Sequence, residues 1–590
     1  MRVRQNRDRT RLIRAAMQEI PCDLTVENAQ FVNVITGEVY PASVDVIDGI
    51  VVRVREEGET TVCPSKEIYD AKGKYLVPGF IDVHMHIEST MMIPENFGRA
   101  AILCGTTSVF VDPHEIGNVL GIDGIKFMIE NAKKSPVRQF NLASSCVPSV
   151  PGVEQAGASF GAKEIAELLD MEGVYGVAEV MDFYNVIHDE KRMHEVVEEG
   201  VKRGALIQGH APGLHGKEIA AYHLAGMVDN HCMNCAEDMV ANLRAGMYTD
   251  MQESSLSPRR MPQLLDGIKK MRYTDHVTLC NDDVHAKDLL ETGHVNRLTK
   301  SAMMEGIDPI DVIRWVTYNA SRAVQMDDIG ALAPGYLADM QLLDALDGRN
   351  PYAVFREGKL LVEDFKFLNE TPAEVQTYEN TMHLDYVESA EDFVLSAPEG
   401  AKKTVTALVL DYGNSQGFGH MCDAAYEEVP VVDGKVDLSG RDDLFYVCCF
   451  NRHGKSDHTI AICKGFGLEK GAIASTVAHD CHNFLCMYKN PEDAFVLAKA
   501  LRECGGGVAS ALDGEVIGLL ELPLAGLMSP LPCEELVPAI AAVEEAAKTI
   551  CPKKMLMQIA VIALACIPGA IITDLGVIDG STQEWYPLWK

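Results

Sequence analysis

The middle of the chain, from about residue 76 to residue 329, alternates short apolar runs with longer amphipathic stretches. Short apolar runs are typical of strands buried on both faces, and a period near 3.6 is typical of helices. Eight units of strand then helix in about 250 residues match the size of a TIM barrel. The pattern therefore predicts an α/β protein with a (β/α)8 TIM barrel, its strands lying in YLVPGFIDVHMH, TTSVFVDPH, FNLASSCV, VYGVAEVMD, ALIQGHAPG, GMVDNHC, GMYTDMQES and HVTLCNDD.

Both flanks of this region carry runs in which apolar and polar residues alternate, which is typical of a sheet with one solvated face. DLTVENAQFVNV and SVDVIDGIVVRVRE lie before the barrel, and AVFREGKLLVED lies after it. We predict one composite β-sandwich domain from residues 22–75 and 330–370. Residues 1–21 are predicted as an N-terminal helix and residues 371–590 as a C-terminal α+β domain, because strand-like pieces there precede amphipathic stretches.

The charge of the chain argues against two classes of partner. With 86 acidic and 52 basic residues, the formal net charge is −34. Such a chain repels nucleic acid backbones and anionic membrane surfaces. No run reaches the roughly 18–20 apolar residues that span a bilayer. The N-terminus has no apolar signal core and the 17 cysteines form no disulfide framework, so we expect a cytoplasmic protein.

Side chains that bind metals stand where the predicted barrel strands end. The first strand ends in Asp82-Val83-His84-Met85-His86, and residues two apart on a strand share one face. Catalytic side chains of TIM barrels lie at these carboxyl ends. Buried acids and imidazoles are costly unless something compensates them, and a cation does so directly. The sequence therefore predicts a metal site with the ligands His84, His86, Glu179, His210, His231 and Asp282.

These residues, in this order, resemble the amidohydrolase superfamily. Many of its members have a carboxylated lysine on strand four, where this chain has Glu179, as bacterial adenine deaminases do. The stretches GFIDVHMHIEST, GTTSVFVDPHEIGNVLG, SSCVPS, GVAEVMDF and NDDVHAKDLLETGHVN also resemble those deaminases, and VAHDCHN and LPLAGLMS resemble their C-terminal domain. The resemblance begins near residue 22 and covers most of the chain.

The resemblance implies a centre of two divalent ions. Nitrogen and oxygen ligands suit manganese(II) or iron(II), which we expect, with zinc(II) as the alternative. The expected ligands are His84, His86 and Asp282 for one ion and His210 and His231 for the other, with Glu179 and a hydroxide as bridges.

The implied reaction is hydrolytic deamination of adenine to hypoxanthine and ammonia, with Asp282, Glu179 and His210 as catalytic residues. A water made acidic by the ions would attack the carbon that bears the amine, and Asp282 would carry the proton to the leaving ammonia. The expected partner is thus a small purine, and the protein is expected to be a homo-oligomer, a dimer or larger.

Further polar residues follow the predicted strand ends and are candidates for purine contacts, although each could instead order a loop. Late in the chain, His479-Asp480-Cys481-His482-Asn483 places two histidines within five residues. This segment fits a polar turn, a contact from a lid, or an accessory metal site. The candidates for purine contacts are Glu88, His114, Glu115, Glu253, Asp283 and His285.

Other functions fit the sequence less well. Cytidine-type deaminases combine His-x-Glu with Pro-Cys-x-x-Cys, whereas the pair Cys232 and Cys235 follows His231. A structural zinc site at these cysteines lacks a second pair at zinc-finger spacing. Cyclic-amide hydrolases normally have the strand-four lysine that Glu179 replaces. A binding protein that had lost catalysis would be expected to lack ligands, and all six are present.

Two segments depart from the resembling family. Strand six ends in Asn230-His231-Cys232, where Asp-His-Glu is usual, and Gln252-Glu253-Ser254 replaces an Arg-Glu-Gly-Ser stretch after strand seven. The ligand histidine is kept while its neighbours change. These departures leave the substrate more open than the metal site, and another aminopurine or a cyclic amide is the alternative to adenine.

Overall fold

The structure is a computed structural model that describes residues 3, 6–56, 58–255, 259–368, 378–416, 420–552 and 556–590. Its first helix, α1, covers Arg9–Ala16, which is shorter than the helix predicted over residues 1–21. The Asp8 side chain accepts a hydrogen bond from the amide of Arg11 at the helix start. Gln18 has a φ of 59°, a left-handed conformation that an α-helix cannot continue through.

One nine-stranded sheet takes strands from both sides of the barrel. Hydrogen bonds join its strands in the order β18-β17-β16-β15-β5-β1-β2-β3, with β4 beside β1. Residues from both flanks, among them Phe31, Val44, Met340 and Phe355, share one buried core. The composite β domain predicted from both flanks is therefore formed, and hydrogen bonds join its strands into one nine-stranded sheet in the described residues. The strands are β1 Leu24–Asn33, β2 Glu38–Ile47, β3 Ile50–Glu56, β4 Glu67–Asp70, β5 Tyr75–Pro78, β15 Met340–Leu343, β16 Ala353–Arg356, β17 Lys359–Glu363 and β18 Lys366–Phe367.

The middle of the chain forms a ring of parallel strands, as the sequence predicted. Six strands form one sheet in the order β10-β9-β8-β7-β6-β14, and three form another in the order β11-β12-β13. Strand β13 continues into β14 after Asn281, and the Val228 amide beside β11 donates to the Ile207 carbonyl of β10. The strands are β6 Phe80–His86, β7 Thr106–Val111, β8 Arg138–Ala143, β9 Val174–Val180, β10 Leu206–Gly209, β11 Asp229–Asn230, β12 Tyr248–Gln252, β13 Val277–Cys280 and β14 Asp282–Asp283.

The register between β14 and β6 positions the first candidate ligands. Asp282 pairs with Met85 and Asp283 with His86, so the end of the last strand meets the end of the first. All seven residues of β6 are buried, as expected for a strand covered on both faces. The helices around the ring are α2 Pro94–Ile102, α3 His114–Ala132, α4 Ala162–Leu169, α5 Phe183–Ile187, α6 Lys191–Arg203, α7 Lys217–Ala225, α8 Ala236–Ala245, α9 Met261–Ile268, α10 Ala286–Thr292, α11 Val295–Met304, α12 Pro309–Arg314 and α13 Ala320–Ala323.

The C-terminal region contains a second nine-stranded sheet, in the order β21-β20-β19-β23-β22-β25-β24-β26-β27, and a small sheet of β28 to β30. Helices α14 Pro491–Cys504 and α15 Cys533–Lys548 accompany them. The strands are β19 Thr404–Asp411, β20 Asp423–Val432, β21 Lys435–Val436, β22 Leu444–Phe450, β23 His458–Lys464, β24 Ala472–Ser475, β25 Phe484–Tyr488, β26 Gly507–Leu512, β27 Glu515–Glu521, β28 Ala570–Thr573, β29 Gly576–Asp579 and β30 Trp585–Tyr586.

The C-terminal region packs directly on the carboxyl ends of the barrel strands. The Ser529 amide donates to the Met91 carbonyl, just after β6. The Asn96 side chain donates to the Pro530 and Leu531 carbonyls. A continuous apolar core includes residues of both regions, from Met85 to Leu527. These contacts hold the C-terminal region over the mouth of the barrel.

Across the described ranges, no helix combines the length and the apolar composition that a membrane span requires.

Arg138 connects the barrel to the composite sheet and provides a test of this architecture. Its guanidinium donates to the buried Asp339 carboxylate at 2.7 Å and to Glu357 at 3.0 Å. We expect Arg138→Leu to lower the free energy of unfolding by about 3 kcal/mol, because it removes the ion pair of a buried carboxylate. Chemical denaturation followed by circular dichroism would measure this loss.

The matched control is Arg203→Leu, which removes an ion pair at the exposed surface with Asp170 and Glu199. Surface pairs contribute little because solvent screens them, so we expect no measurable loss of stability. Equal losses in the two variants would contradict a special role for Arg138.

Candidate metal centre

The strand ends bring the six predicted ligands together at the mouth of the barrel. His84 and His86 lie two apart on β6 and face the same side, as the alternation of a strand requires. Glu179 is the penultimate residue of β9, and the histidines that follow β10 and β11 turn toward it. The cluster consists of His84, His86, Glu179, His210, His231 and Asp282.

The Glu179 carboxylate lies between two pairs of imidazoles. Its Oε1 is 3.2 Å from His86 Nε2 and 3.8 Å from His84 Nε2. Its Oε2 is 2.6 Å from His210 Nδ1 and 3.3 Å from His231 Nε2. Each oxygen therefore faces its own pair of ring nitrogens, which is the arrangement that a carboxylate bridging two cations requires.

Asp282 approaches the first of these pairs from the other side. Its Oδ1 is 3.3 Å from His86 Nε2 and 3.6 Å from His84 Nε2. The residue has a φ of 55°, in the left-handed region that Asp adopts more readily than most residues. Such backbone strain is typical of functional sites, and here it accompanies a carboxylate aimed at the two histidines.

Two neighbours fix the imidazoles of β6 so that their Nε2 atoms face the cluster. The Gln208 amide nitrogen donates to the Val83 carbonyl at 2.6 Å, so its oxygen must accept from His84 Nδ1 at 3.0 Å. His86 Nδ1 is 3.1 Å from the Asp112 backbone carbonyl and can only donate to it. In the neutral rings both Nε2 atoms therefore carry lone pairs, as histidine ligands of metals do.

These residues fit a metal site. His84 Nε2 is buried and has no hydrogen-bond partner among the described residues. Such an orphaned nitrogen is costly unless a ligand satisfies it. His84, His231 and Asp282 have donor atoms within 4.8 Å of one another, as do His210, His231 and Cys232. The lone pairs and carboxylates thus converge where cations would lie.

The electrostatics of the cluster favour positive charge. Burial would raise the pKa of Glu179, but the His210 imidazole beside it holds that pKa well below its ordinary range. Burial also acts to raise the pKa of Asp282, and contacts with His84 and His86 bring it below its ordinary range. Burial lowers the pKa of His86, yet Asp282 and Glu179 outweigh burial and raise it well above the ordinary value. Both acids are therefore anionic and attract a cation.

A cavity adjoins these ligands and is lined by residues of both regions of the protein. Its walls include His114 and Asp283 together with Met181, Pro212, Gln252 and Arg260. Four residues of the C-terminal region cover it, and we call them the roof: His479, Asp480, Leu564 and Ile567.

The six residues predicted to contact the purine occupy four different places. His114 and Asp283 line the cavity. Glu88 and Glu115 are fully buried beside it but do not line it. Burial, and then repulsion from Glu115, raises the pKa of Glu88 to about 8. The Ser89 hydroxyl lies between Glu115 and Asp283 and contacts both carboxyl groups.

Glu253 and His285 lie outside this cavity. The Glu253 carboxylate turns away from it to accept hydrogen bonds from Arg259 at 2.8 Å and Ser301 at 2.6 Å, in a separate surface groove. His285 lines another groove with residues of α15, among them Glu544. Position after a strand end was the only signal for both residues, and it does not specify the direction of a side chain beyond the strand.

The late histidine segment reaches the site from the C-terminal region. His479 Nδ1 is 3.8 Å and His482 Nε2 is 4.0 Å from the Glu115 carboxylate. His482 Nδ1 accepts a hydrogen bond from the Ala478 amide, so the neutral ring carries its proton on Nε2 and cannot offer a lone pair there. This geometry argues against an accessory metal at Glu115 and favours a contact that holds the roof on the barrel.

Three further residues contact the site that were not among the six predicted ligands or the six predicted purine contacts. Asp112 accepts from the ring of His114 at 3.0 Å and orients it. Asp480 is buried and has an oxygen without a hydrogen-bond partner among the described residues; its other oxygen lies 3.6 Å from His114 Nε2. Cys232 lies beside His210. Asp112 directly follows strand β7, so its position in the sequence could have identified it as a candidate. The role of Asp480 is visible only in the tertiary contacts.

Comparisons with known proteins agree with this architecture. The family model of the amidohydrolase family matches residues 75–361, and that of the adenine deaminase C-terminal domain matches residues 421–584. The first match places the barrel in the amidohydrolase class.

Relatives that match nearly the full length of the chain identify its family within the amidohydrolase class. The chain is 34% identical to an adenine deaminase of Moorella thermoacetica over 96% of each chain. It is 35% identical to adenine deaminase 2 of Carboxydothermus hydrogenoformans over 98% of this chain and 99% of that relative. A solved β-aspartyl dipeptidase of Fervidobacterium islandicum AW-1 aligns with a TM-score of 0.46 at 18% identity, over 59% of this chain and 99% of that one. The chain belongs to the adenine deaminase family.

Membership of this family implies the use of divalent metal ions, and their binding should stabilise the fold. An ion that binds only the folded state adds about 2.7 kcal/mol at a hundredfold excess over Kd. We expect manganese(II) to raise the thermal unfolding midpoint of metal-stripped protein, and we expect Glu179→Gln to reduce that rise. Differential scanning fluorimetry would measure both.

Glu154→Gln is the matched control. Glu154 is also buried, but it accepts from Ser149 and Val150 and belongs to none of the clusters of metal-binding donors found in the described residues. Its variant should keep the full metal-dependent rise. The same rise in both variants would argue against binding of the metal at Glu179.

Proposed function

We propose that this protein catalyses the hydrolytic deamination of adenine to hypoxanthine and ammonia. The observation that carries the proposal is the Glu179 carboxylate between two pairs of imidazoles. It lies at the floor of an enclosed cavity, in a chain that matches adenine deaminases over nearly its full length. We infer adenine as the substrate from the family, and we infer a hydrolytic reaction from the chemistry of the site.

Two divalent ions would be bound by this cluster. We assign His84, His86 and Asp282 to one ion and His210 and His231 to the other, with Glu179 between them. Manganese(II) or iron(II) fits the nitrogen and oxygen donors, with zinc(II) as the alternative. When bound, such ions act as Lewis acids and lower the pKa of a water from near 16 to about 7.

Asp282 would act as the proton carrier. Its carboxylate faces the cavity and is held anionic by the neighbouring histidines. It can accept a proton from the attacking water and deliver it to the departing amine, as a general base that becomes a general acid. Glu179 and His210, which contact each other at 2.6 Å, would hold the position of the attacking water. Attack at the carbon that bears the amine then releases ammonia.

The cavity is suited to a flat, polar heterocycle. Apolar side chains from Met181, Leu564 and Ile567 contribute to its walls and roof. His114, Asp283 and Asp480 provide polar atoms at its edge. We propose that these three groups hydrogen-bond the ring nitrogens of the purine, because small-molecule sites combine apolar walls with a few polar groups that fix orientation.

We expect Asp282→Asn to lower kcat/KM for adenine by at least about a hundredfold, since an amide cannot carry the proton and general acid–base catalysis contributes factors of this size. Ammonia release by protein reconstituted with manganese(II) would measure it. Asp275→Asn is the control, because Asp275 forms an exposed ion pair with Arg314 away from the cavity.

Activity of Asp282→Asn close to wild type would refute the proton-carrier role. If wild-type protein with two bound ions released no ammonia from adenine, the substrate would be wrong. The test would then continue with other aminopurines and cyclic amides, which the changed strand-six segment Asn230-His231-Cys232 leaves as the alternative.

The domain bounds, the oligomeric state and the location of the protein are further predictions from the sequence. We propose domain bounds of 1–21, 22–75 with 330–370, 76–329 and 371–590, and a homo-oligomer of two or more chains. A cytoplasmic location stays a prediction from the sequence.

A further inference from the structure

We propose that the Cys232 thiolate is a ligand of the ion held by His210 and His231. This side of the centre then favours softer metal ions than a site with only nitrogen and oxygen donors would favour. The inference deepens the proposed function and rests on its metal centre. It concerns Cys232, the second residue after strand β11.

The positions of the donor atoms suit a shared ion. Cys232 Sγ is 3.3 Å from His210 Nδ1, and donor atoms of His210, His231 and Cys232 all lie within 4.8 Å of one another. A tetrahedral zinc with Zn–S of 2.3 Å and Zn–N of 2.1 Å separates sulfur from nitrogen by about 3.6 Å. The observed spacing is close to this edge, so an ion needs little rearrangement to bind.

Neighbouring groups also indicate a ligand at this place. The His84 ring stacks on His231 with centroids 4.2 Å apart. His84 Nε2 is buried without a hydrogen-bond partner among the described residues. Glu179 Oε2 lies 3.3 Å from His231 Nε2. His84 belongs to the ion that we assign to the other side, and its stacking on His231 makes the two sides one continuous cluster of buried donors. Cys232 shares its donor group with His210 and His231, so it is not an isolated cysteine.

Asn230 fixes the distance between the two candidate ligands. Its Oδ1 accepts from the amides of Cys232 and Ala211, both at 3.0 Å, and Ala211 directly follows His210. Its Nδ2 donates to the Ala211 carbonyl and to Asn242, both at 3.1 Å. Because this fully buried amide ties the backbone of both ligand segments together, the two side chains start from backbone positions that the fold holds close to each other.

The chemistry of a thiol predicts a change in metal preference. On binding, the thiol loses its proton to solvent and the sulfur donates an electron pair to the ion. Thiolates select softer ions such as zinc(II), whereas manganese(II) prefers the oxygens of carboxylates, carbonyls and water. Cys232 should therefore raise the affinity of this side for zinc(II) much more than for manganese(II).

Cobalt(II) provides a direct test, because sulfur bound to cobalt gives a charge-transfer absorption in the near ultraviolet that nitrogen and oxygen ligands do not give. We expect reconstituted wild-type protein to show this band and Cys232→Ser to lose it. Cys235→Ser is the matched control, since Cys235 precedes α8 and does not belong to the donor cluster. It should retain the band.

Competition titrations with a chelator would then measure affinity. We expect Cys232→Ser to lose at least about tenfold in zinc(II) affinity, by analogy with the loss of groups that support a ligand, and much less in manganese(II) affinity. Circular dichroism of each variant checks that the fold is kept. A Cys232→Ala variant should behave as the serine variant does.

The outcomes separate this inference from the proposed function. A protein that deaminates adenine with two bound ions but shows no sulfur band would overturn thiolate binding and leave the function standing. A sulfur band that disappears only in the Cys232 variants, in a protein inactive on adenine, would support the ligand and refute the substrate. A band that persists in Cys232→Ser, or equal losses of zinc(II) and manganese(II) affinity, would also overturn the inference.

Discussion

The Glu179 carboxylate, buried at the mouth of the barrel, has to be compensated on both of its oxygens. A buried anion without partners costs far more than the stability of a domain can absorb, so the surrounding strands supply imidazoles on each side. Those rings must in turn be oriented, and this is why Gln208 and the Asp112 carbonyl bind their outer nitrogens. The arrangement of the centre therefore follows from the Glu179 charge on β9: the imidazoles surround it, and further groups orient the imidazoles.

The same constraint explains why the C-terminal region is part of the site. A cavity open to water would screen the charges that the barrel concentrates, since electrostatic interactions are weaker where water penetrates. The roof closes this cavity with His479 and Asp480, which approach Glu115 and His114 of the barrel. Each contact pairs an imidazole with an acid across the interface. The roof is thereby both a cover and a source of polar groups, and residues of both regions line the cavity.

The sequence was sufficient to predict the barrel and the cluster, because both depend on local periodicity. His84 and His86 share a face by strand alternation, and Glu179 is conspicuous as an acid in an apolar strand. Residues beyond strand ends were harder, as the directions of Glu253 and His285 show. Local patterns do not contain the contact between Asp480 and the distant His114. What the sequence could not provide are the contacts that the packing of remote segments creates.

The residues at the end of strand six show how tertiary packing determines the role of individual side chains. Strand six ends in Asn230-His231-Cys232. A carboxylate at 230 could accept the two amide hydrogen bonds but could not donate to the Ala211 carbonyl or to the Asn242 oxygen. It would also add a buried negative charge next to His231, which already contacts the Glu179 carboxylate. The Asn230 amide and the Cys232 thiol therefore suit the same site, because neither adds a fixed negative charge to it. The amide ties the backbone of Cys232 to that of Ala211, next to His210, without adding charge, and the thiol lines the cavity.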